Sequence, residues 1–324
     1  MNETINKQVL VVLPMNESEK DLLKSKMPEA SFLFCKPTEV TEELVKEANI
    51  IIGNVSPTMI KGTNKLEWIQ LNSAGTDGYC EEGVLPKNAL LTNATGAYGL
   101  ALSEHMLGMV FEIKKKLNLY YINQLNREWK DEGKVTAIEG STTLVVGLGD
   151  IGGSFAKKMK ALGSYTIGIR RTSGLKPQYL DELCTMDELE SLLSRADIVA
   201  LSLPNTKETY HLFNKEMFMH MKKNAIIINV GRGNAICTDD LCEALEERVI
   251  AGAGLDVTDP EPLPSDHKLW NTRGVVITPH VSGAYHLEET RERIVKISIE
   301  NLERFLKGDD LQNIVDFKTG YRKR

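Results

Sequence analysis

The sequence predicts an α/β protein with more than one domain, and three observations carry this prediction. The chain has 324 residues, which is more than one hydrophobic core usually organises. Hydrophobic residues make up 42% of it and charged residues 26%, as in ordinary globular proteins. Short apolar runs alternate with longer segments of helical period, which is the pattern of a parallel sheet covered by helices.

The apolar runs lack polar alternation, so each is predicted to be a strand buried on both faces. They are Val9–Leu13, Ile50–Ile52, Trp68–Leu71, Leu90–Thr92, Thr143–Val146, Tyr165–Ile169, Ile198–Leu201, Ala225–Asn229, Gly252–Asp256 and Val275–Thr278. Helices are predicted between them at Thr41–Ala48, Ile151–Leu162, Met186–Arg195 and Thr238–Arg248.

Two longer amphipathic segments mark the predicted domain crossings. Tyr98–Asn118 precedes a glycine-rich motif, and Leu287–Leu306 follows the last predicted strand. The tail Leu311–Phe317 is expected to return to the first domain. We therefore predict a discontinuous substrate domain formed by residues 1–100 and 290–324, with a nucleotide-binding domain at residues 101–289 inserted into it.

Charge and cysteine usage exclude several classes of partner. The net charge of −6 and the pI near 5.7 give no reason to expect nucleic acid or an anionic membrane surface. No apolar run approaches the roughly 20 residues of a membrane span. The cysteines are odd in number, scattered and never spaced as C-x-x-C, which favours a reducing cytoplasm and no metal site.

The strongest single motif follows the strand Thr143–Val146. Its residues are Gly147, Leu148, Gly149, Asp150, Ile151 and Gly152, and an apolar-periodic segment begins there. Between a strand and a helix, G-x-G-x-x-G predicts dinucleotide binding. The first glycine allows a tight turn, the second leaves room for the pyrophosphate and the third lets helix and strand pack closely. The helix N-terminus offers free N–H groups to the anion.

The next strand ends in residues that bear on the choice of cofactor. An NAD site wants a carboxylate there for the ribose 2′-hydroxyl, but this strand is followed by Arg170, Arg171 and Thr172. Two guanidiniums suit a 2′-phosphate, so the sequence favours NADP over NAD. The alternative is that both arginines lie in solvent beside the adenine pocket and that the cofactor is NAD.

Three later segments place an arginine, acids and a histidine after predicted strands. Arg232 follows Ala225–Asn229, Glu261 lies in the loop after Gly252–Asp256, and His280 follows Val275–Thr278. In open parallel sheets, ligands bind outside the carboxyl ends of the strands.

Taken together, these motifs resemble the D-isomer-specific 2-hydroxyacid dehydrogenases over nearly the whole chain. The matching segments occur in the family's order: Gly147–Gly152, Leu203–Thr206, Asn229–Gly233, Gly254–Val257, Asp259–Pro264 and Thr278–His280. The resemblance implies a Rossmann domain inserted into a flavodoxin-like substrate domain, and usually a homodimer. It implies an oxidoreductase that moves hydride between a nicotinamide cofactor and a small 2-keto or 2-hydroxy acid.

The resemblance also implies the roles of particular residues. Arg232 would bind the substrate carboxylate and carbonyl, His280 would be the acid/base, and Glu261 would pair with His280. Further cofactor contacts are expected at Leu203, Pro204, Thr206, Val230, Gly231, Asp256 and His280. These roles agree with elementary chemistry, because imidazole transfers protons near neutral pH and a planar guanidinium grips a carboxylate.

The substrate side depends on a loop of small residues after Trp68–Leu71. By resemblance, Ser73, Ala74 and Gly75 belong to the substrate-carboxylate loop, and Tyr98 is expected to line the cleft and set specificity. The alternative is a purely structural role, in which these residues form a simple turn followed by a helix cap. Residues 72–78 contain no lysine or arginine to meet a phosphate, and we expect no further domain like those appended to many phosphoglycerate dehydrogenases. Small unphosphorylated acids such as glyoxylate, hydroxypyruvate or pyruvate are therefore favoured.

Three other functions stay open at this stage. Relatives of this fold act as nucleotide-sensing corepressors and can keep the same three residues. A phosphoglycerate dehydrogenase is the second possibility, and a formate- or phosphite-type dehydrogenase is the third.

Among the other histidines, His105 lies in an apolar helix and is expected to pack, with a minor role in the cleft left open.

Overall fold

A computed structural model describes residues 7–172, 174–318 and 320–323. The N-terminal part forms β1 (Gln8–Val11), α1 (Glu17–Lys26), β2 (Ser31–Phe34), α2 (Glu42–Glu47), β3 (Ile50–Ile52), α3 (Pro57–Ile60), β4 (Trp68–Gln70) and β5 (Leu90–Thr92). The central part begins with α4 (Gly99–Lys114), α5 (Leu117–Asn126), β6 (Thr142–Val146), α6 (Asp150–Ala161), β7 (Tyr165–Ile169), β8 (Glu182–Cys184) and α7 (Leu189–Leu193). It continues with β9 (Ile198–Leu201), α8 (Lys215–Met219), β10 (Ile226–Asn229), α9 (Thr238–Glu246), β11 (Gly252–Leu255) and β12 (Val275–Ile277). The C-terminal part contains α10 (Glu288–Lys307), β13 (Val315–Asp316) and β14 (Tyr321–Arg322).

The chain divides into two compact units. The first unit comprises Met1–Tyr98 and Leu287–Arg324, and the second comprises Gly99–His286. Residues 1–6, 319 and 324 of the predicted substrate domain lie outside the described residues.

The first unit contains a parallel sheet in the order β2-β1-β3-β4-β5. This is the flavodoxin-like order. A buried polar network joins the C-terminal helix to this sheet, because Asn301 of α10 donates to the Gln70 side chain at 2.8 Å. Thr92 also donates to Gln70, at 2.7 Å, and forms an isolated bridge with Ile314. These contacts explain how the C-terminal segment completes the first unit.

The second unit contains a parallel sheet in the order β12-β11-β10-β9-β6-β7-β8. Counted from β6, this is the doubly wound Rossmann order with β12 added at one edge, and the strand order reverses between β6 and β9. Every residue of β9, β10 and β11 is buried, as predicted from their uninterrupted apolar character. The predicted α/β fold class is confirmed.

Six strands of the second unit end in register with one another. Pairing joins Ile169, Val146, Leu201, Asn229, Leu255 and Ile277 in that order across six neighbouring strands. The residue after each strand therefore lies at a common edge, with about 4.8 Å between neighbouring strands. Those residues are Arg170, Gly147, Ser202, Val230, Asp256 and Thr278.

Two predicted helices are wrong in their extent. The segment predicted at Tyr98–Asn118 starts at Gly99, and α4 ends at Lys114. Lys116 adopts a left-handed backbone with φ of 58°, which interrupts the helical hydrogen bonds before α5 begins. The chain beyond α5 stabilises this break, because Thr136 donates to Lys114 O at 3.4 Å and Lys116 donates to Glu132 O. The predicted helix Met186–Arg195 is likewise a short 3-10 turn, Met186–Glu188, followed by α7.

Several elements were not predicted from the sequence. The edge strand β2 carries a short apolar run, Phe32–Phe34, that the sequence analysis did not use, and the edge strand β8 begins with Glu182 and so lacks a continuous apolar run. Helix α1 did carry a local signal. Asn16 and Glu19 form a capping box before it, which is a recognised start of a helix. Among the described residues, no helix is long and apolar enough to cross a membrane.

Candidate active site

The turn after β6 has the geometry that a dinucleotide motif requires. Gly147 has φ of 101°, and a Cβ there would lie 2.7 Å from Ser202 O. A Cβ on Gly152 would lie 2.0 Å from Gly147 O, so helix α6 and strand β6 pack as closely as they do only because that residue is glycine. A Cβ on Gly149 would meet nothing within 4 Å, which leaves open space over the N-terminus of α6. The turn therefore fits a pyrophosphate group.

The side chains within this turn are held by the protein. Asp150 accepts a hydrogen bond from Gly99 N at 2.7 Å and so caps the start of α4. Leu148 packs against β7, where a Cβ on Gly168 would lie 2.6 Å from Leu148 Cδ1. Backbone groups, rather than these side chains, are thus suited to contact the cofactor in this turn.

The two arginines after β7 differ in their surroundings. Arg170 is half-buried and its Nη2 donates to Leu175 O at 3.4 Å, whereas Arg171 and Thr172 are exposed. The pKa of Glu208 is lowered mainly by a backbone N–H and by Thr206, and the positive charges of Lys207 and Arg171 add to this effect. Arg171 therefore acts electrostatically on the loop that follows β9.

That loop is built around Thr209. Its hydroxyl donates to Pro204 O at 2.7 Å and accepts from Thr206 N at 2.9 Å, which fixes the predicted cofactor residues Leu203, Pro204 and Thr206. A Cβ on Gly231 would lie 2.5 Å from Leu203 O, so the segment after β10 runs directly against this loop.

Arg232 is the extended residue that precedes a short 3-10 turn, Gly233–Ala235, after β10. The side chain of Asn229 donates to Arg232 O at 2.9 Å, and Arg232 Nη1 donates to Gly231 O at 2.8 Å. A Cβ on Gly233 would lie 1.9 Å from Thr258 O, so the Arg232 segment runs against the loop that carries Glu261.

His280 and Glu261 are in direct contact through their side chains. His280 Nδ1 lies 2.6 Å from Glu261 Oε1. The side chains are 51% and 42% exposed, so the pair contributes little to stability and is accessible for chemistry. A carboxylate at this distance fixes the ring orientation and leaves Nε2 as the nitrogen available to a substrate.

Asp256 organises the segment that carries His280. Its carboxylate is 1% exposed and accepts from Thr278 Oγ1 at 2.6 Å, from Val281 N at 3.0 Å, and from both N and Oγ of Ser282. His280 N donates to the Asp256 carbonyl at 2.8 Å. Asp256 thus holds the segment around His280, and its predicted contact with the cofactor stays a prediction.

Comparisons with known proteins identify the family of this chain. Residues 107–282 match the family described as D-isomer specific 2-hydroxyacid dehydrogenase, NAD binding domain. A hydroxypyruvate reductase of Blautia hydrogenotrophica is 37% identical, over 84% of this chain and 86% of that protein. A glyoxylate reductase of Thermococcus litoralis is 31% identical, over 86% of this chain and 87% of that protein.

A solved structure agrees over nearly the full length. It is a D-isomer specific 2-hydroxyacid dehydrogenase family protein of Aeromonas salmonicida, with a TM-score of 0.84 and 32% identity, covering 96% of this chain and 99% of that one. The chain belongs to the D-isomer specific 2-hydroxyacid dehydrogenase family. This dehydrogenase is therefore an oxidoreductase with an NAD(P)-binding Rossmann domain, as its sequence motifs predicted.

The predicted substrate loop of this dehydrogenase lies in its first unit and is held by asparagines. Asn54 and Asn72 exchange hydrogen bonds, with Asn54 N at 2.7 Å from Asn72 Oδ1 and Asn72 N at 2.9 Å from Asn54 Oδ1. Asn93 donates to Ala74 O at 2.8 Å, and the Tyr98 hydroxyl donates to Asn72 O. Side chains thus fix the backbone of Ser73, Ala74 and Gly75 in one conformation.

Sequence reasoning missed several supporting residues of the dehydrogenase. Asn54 and Asn93 hold the predicted substrate loop, while Thr278 and Ser282 hold Asp256. Thr278 and Ser282 flank His280 within the strand-end segment, and that position was the signal that could have found them. Asn54 follows β3 in the same way. His105 packs, as expected, but through a hydrogen bond to Thr278.

Proposed function

We propose that this dehydrogenase reduces a small, unphosphorylated 2-keto acid, such as glyoxylate, hydroxypyruvate or pyruvate, to the D-2-hydroxy acid. The observation that carries the proposal is the contact of 2.6 Å between His280 and Glu261, at the strand edge that also holds the Gly147 turn. The similarity to a hydroxypyruvate reductase and a glyoxylate reductase supports this substrate class.

In this proposal, His280 is the acid/base. Its Nδ1 is held by Glu261, so Nε2 would give the proton to the oxygen of the carbonyl as that oxygen gains charge. The Glu261 carboxylate would stabilise the imidazolium before the proton leaves. The nicotinamide cofactor, when bound, supplies the hydride.

Arg232 would orient the substrate. A guanidinium presents parallel N–H donors that match a carboxylate and can also stabilise charge on the carbonyl oxygen. Its position three residues after the end of β10, in the segment beside the loop of Glu261, supports this role. The expectation that Ser73, Ala74, Gly75 and Tyr98 contact the substrate stays a prediction.

We also propose that the cofactor is NADP in preference to NAD. Arg170 and Arg171 follow β7, where an NAD site would have a carboxylate, and both guanidiniums are suited to a 2′-phosphate. Gly147, Gly149 and Gly152 would hold the pyrophosphate, with Leu148, Asp150 and Ile151 contributing backbone groups. Thr172, Leu203, Pro204, Thr206, Val230, Gly231 and Asp256 would complete the cofactor contacts.

A homodimer is the proposed assembly. The side chains of Leu117, Tyr121, Ile122 and Leu125 on α5 are between 52% and 63% exposed, and Trp129 beyond it is fully exposed. Clustered exposed apolar side chains of this kind mark interaction surfaces. A cytoplasmic location stays a prediction from the cysteine pattern.

The direct test of the proposed function is a panel of 2-keto acids assayed with NADPH and NADH side by side. We expect turnover with at least one of glyoxylate, hydroxypyruvate and pyruvate, with a higher kcat/KM for NADPH than for NADH. Tight NADPH binding without turnover on any 2-keto acid would favour the corepressor-like function. Turnover that requires 3-phosphohydroxypyruvate would favour the phosphoglycerate dehydrogenase.

A further inference from the structure

His105 makes a polar contact from a mostly apolar helix to the segment that carries His280. Its Nε2 lies 2.9 Å from Thr278 Oγ1, and its side chain is 25% exposed. Both residues belong to the second unit, where α4 packs against β11 and β12. No role in the proposed chemistry has so far been given to this histidine.

The direction of the hydrogen bonds follows from the donors and acceptors available. The Thr278 hydroxyl has a single hydrogen, and it lies 2.6 Å from Asp256 Oδ1, which also accepts from Val281 N. Since a carboxylate oxygen only accepts, Thr278 donates to Asp256. Thr278 Oγ1 must then accept from His105, so His105 carries a hydrogen on Nε2.

Asp256, the acceptor at the end of this chain, also accepts from the backbone around His280. Asp256 accepts from the backbone N–H groups of Val281 and Ser282 through its carboxylate, and its carbonyl accepts from His280 N at 2.8 Å. His280 has φ of 52°, a left-handed conformation that non-glycine residues seldom adopt. Such a conformation persists only where its surroundings hold it.

We propose that His105 is a positioning residue for His280. By donating to Thr278, it directs the Thr278 hydroxyl onto Asp256, and Asp256 in turn holds the turn that presents the His280 ring to Glu261. The inference rests on the proposed function in so far as His280 is the acid/base there.

An apolar residue of similar size would not replace His105 in this role. Leucine would fill the space beside β12, but it would leave Thr278 Oγ1 without its donor and free to rotate away from Asp256. Glutamine would keep a donor, because its amide nitrogen can reach about the same position as an imidazole Nε2. The pair of substitutions therefore separates packing from hydrogen bonding.

The experiment compares His105→Leu, His105→Gln and Thr278→Val with the wild-type protein. The control is His220→Leu, which makes the same chemical change in the second unit at a histidine that pairs with Glu190 instead. Two readouts are measured. The first comprises kcat and KM for a 2-keto acid that the wild type reduces, together with the dissociation constant of NADPH. The other is the ring nitrogen NMR signals of His280, recorded on histidine-labelled protein without substrate.

We expect His105→Leu and Thr278→Val each to lower kcat about tenfold, the loss expected for one hydrogen bond, with NADPH affinity unchanged. The His280 ring signals should shift in both variants, since the contact with Glu261 loosens. His105→Gln should restore kcat and the signals, and His220→Leu should change neither. The double variant His105→Leu/Thr278→Val should lose no more than either single variant, because both break the same chain.

Wild-type kcat and unchanged His280 signals in His105→Leu would overturn the proposal. A loss that His105→Gln does not restore would also overturn it, because packing would then be the role of His105. If the wild type reduces no 2-keto acid, the proposed function fails. The ring signals of His280 then still decide whether His105 positions it.

Discussion

At the scale of single residues, the contact between His280 and Glu261 is suited to proton transfer and adds little to the stability of the fold. Both side chains are about half exposed, and an exposed ion pair contributes little to folding. The residues lie 19 positions apart, so their contact depends on the path of the loop after β11. The sequence could place each residue after a strand, but no local pattern could supply the distance of 2.6 Å.

Removing the charge of Glu261 tests this pairing. We expect Glu261→Gln to lower kcat by about 100-fold, because the amide no longer stabilises the imidazolium while the ring is about to give up its proton. The dissociation constant of NADPH, measured by fluorescence titration, should stay within about twofold. A variant with unchanged kcat would remove Glu261 from the mechanism.

Replacing the arginines after β7 tests the choice of cofactor. We expect Arg170→Ala and Arg171→Ala each to raise the KM for NADPH roughly tenfold and to leave the KM for NADH nearly unchanged, because only NADPH carries the 2′-phosphate. Arg273→Ala is the control, since this exposed arginine lies before β12, at the opposite edge of the sheet. Equal losses with both cofactors would contradict the assignment.

At the scale of elements, sequence periodicity predicted every strand of the two parallel sheets except β2 and β8, each of which lies at an edge. Ile50–Ile52 and Tyr165–Ile169 were predicted with the bounds that the structure has, because strands buried on both faces leave a continuous apolar run. The edge strand β2 was missed although Phe32, Leu33 and Phe34 form a short apolar run, and its residues are alternately exposed and half-buried. The break at Lys116 could not be predicted either, since it depends on contacts with residues beyond α5.

Two glycines of the β6–α6 turn allow a matched test. We expect Gly152→Ala to lower the melting temperature by several degrees, because its Cβ would lie 2.0 Å from Gly147 O. Gly149→Ala should melt like the wild type, since its Cβ would meet nothing within 4 Å, yet bind NADPH at least tenfold more weakly. Thermal unfolding and NADPH titration separate the two effects. Wild-type affinity in Gly149→Ala would contradict a pyrophosphate at this turn.

At the scale of the whole molecule, the exposed apolar side chains of α5 bear on assembly. We expect the wild type to be a dimer by light scattering at micromolar concentration. The double variant Ile122→Asp/Leu125→Asp should be a monomer, because charges would replace apolar side chains that a partner copy covers. Met219→Asp is the control, since Met219 is 64% exposed on α8. A monomeric wild type would contradict the proposed homodimer.

The most direct test of the central claim is His280→Ala, measured for turnover and for NADPH binding on the same preparation. We expect a fall in kcat of about 1,000-fold or more with a nearly unchanged dissociation constant for NADPH, because the proton donor is lost while the glycine turn is intact. Turnover close to that of the wild type would contradict it, and another group would then have to supply the proton.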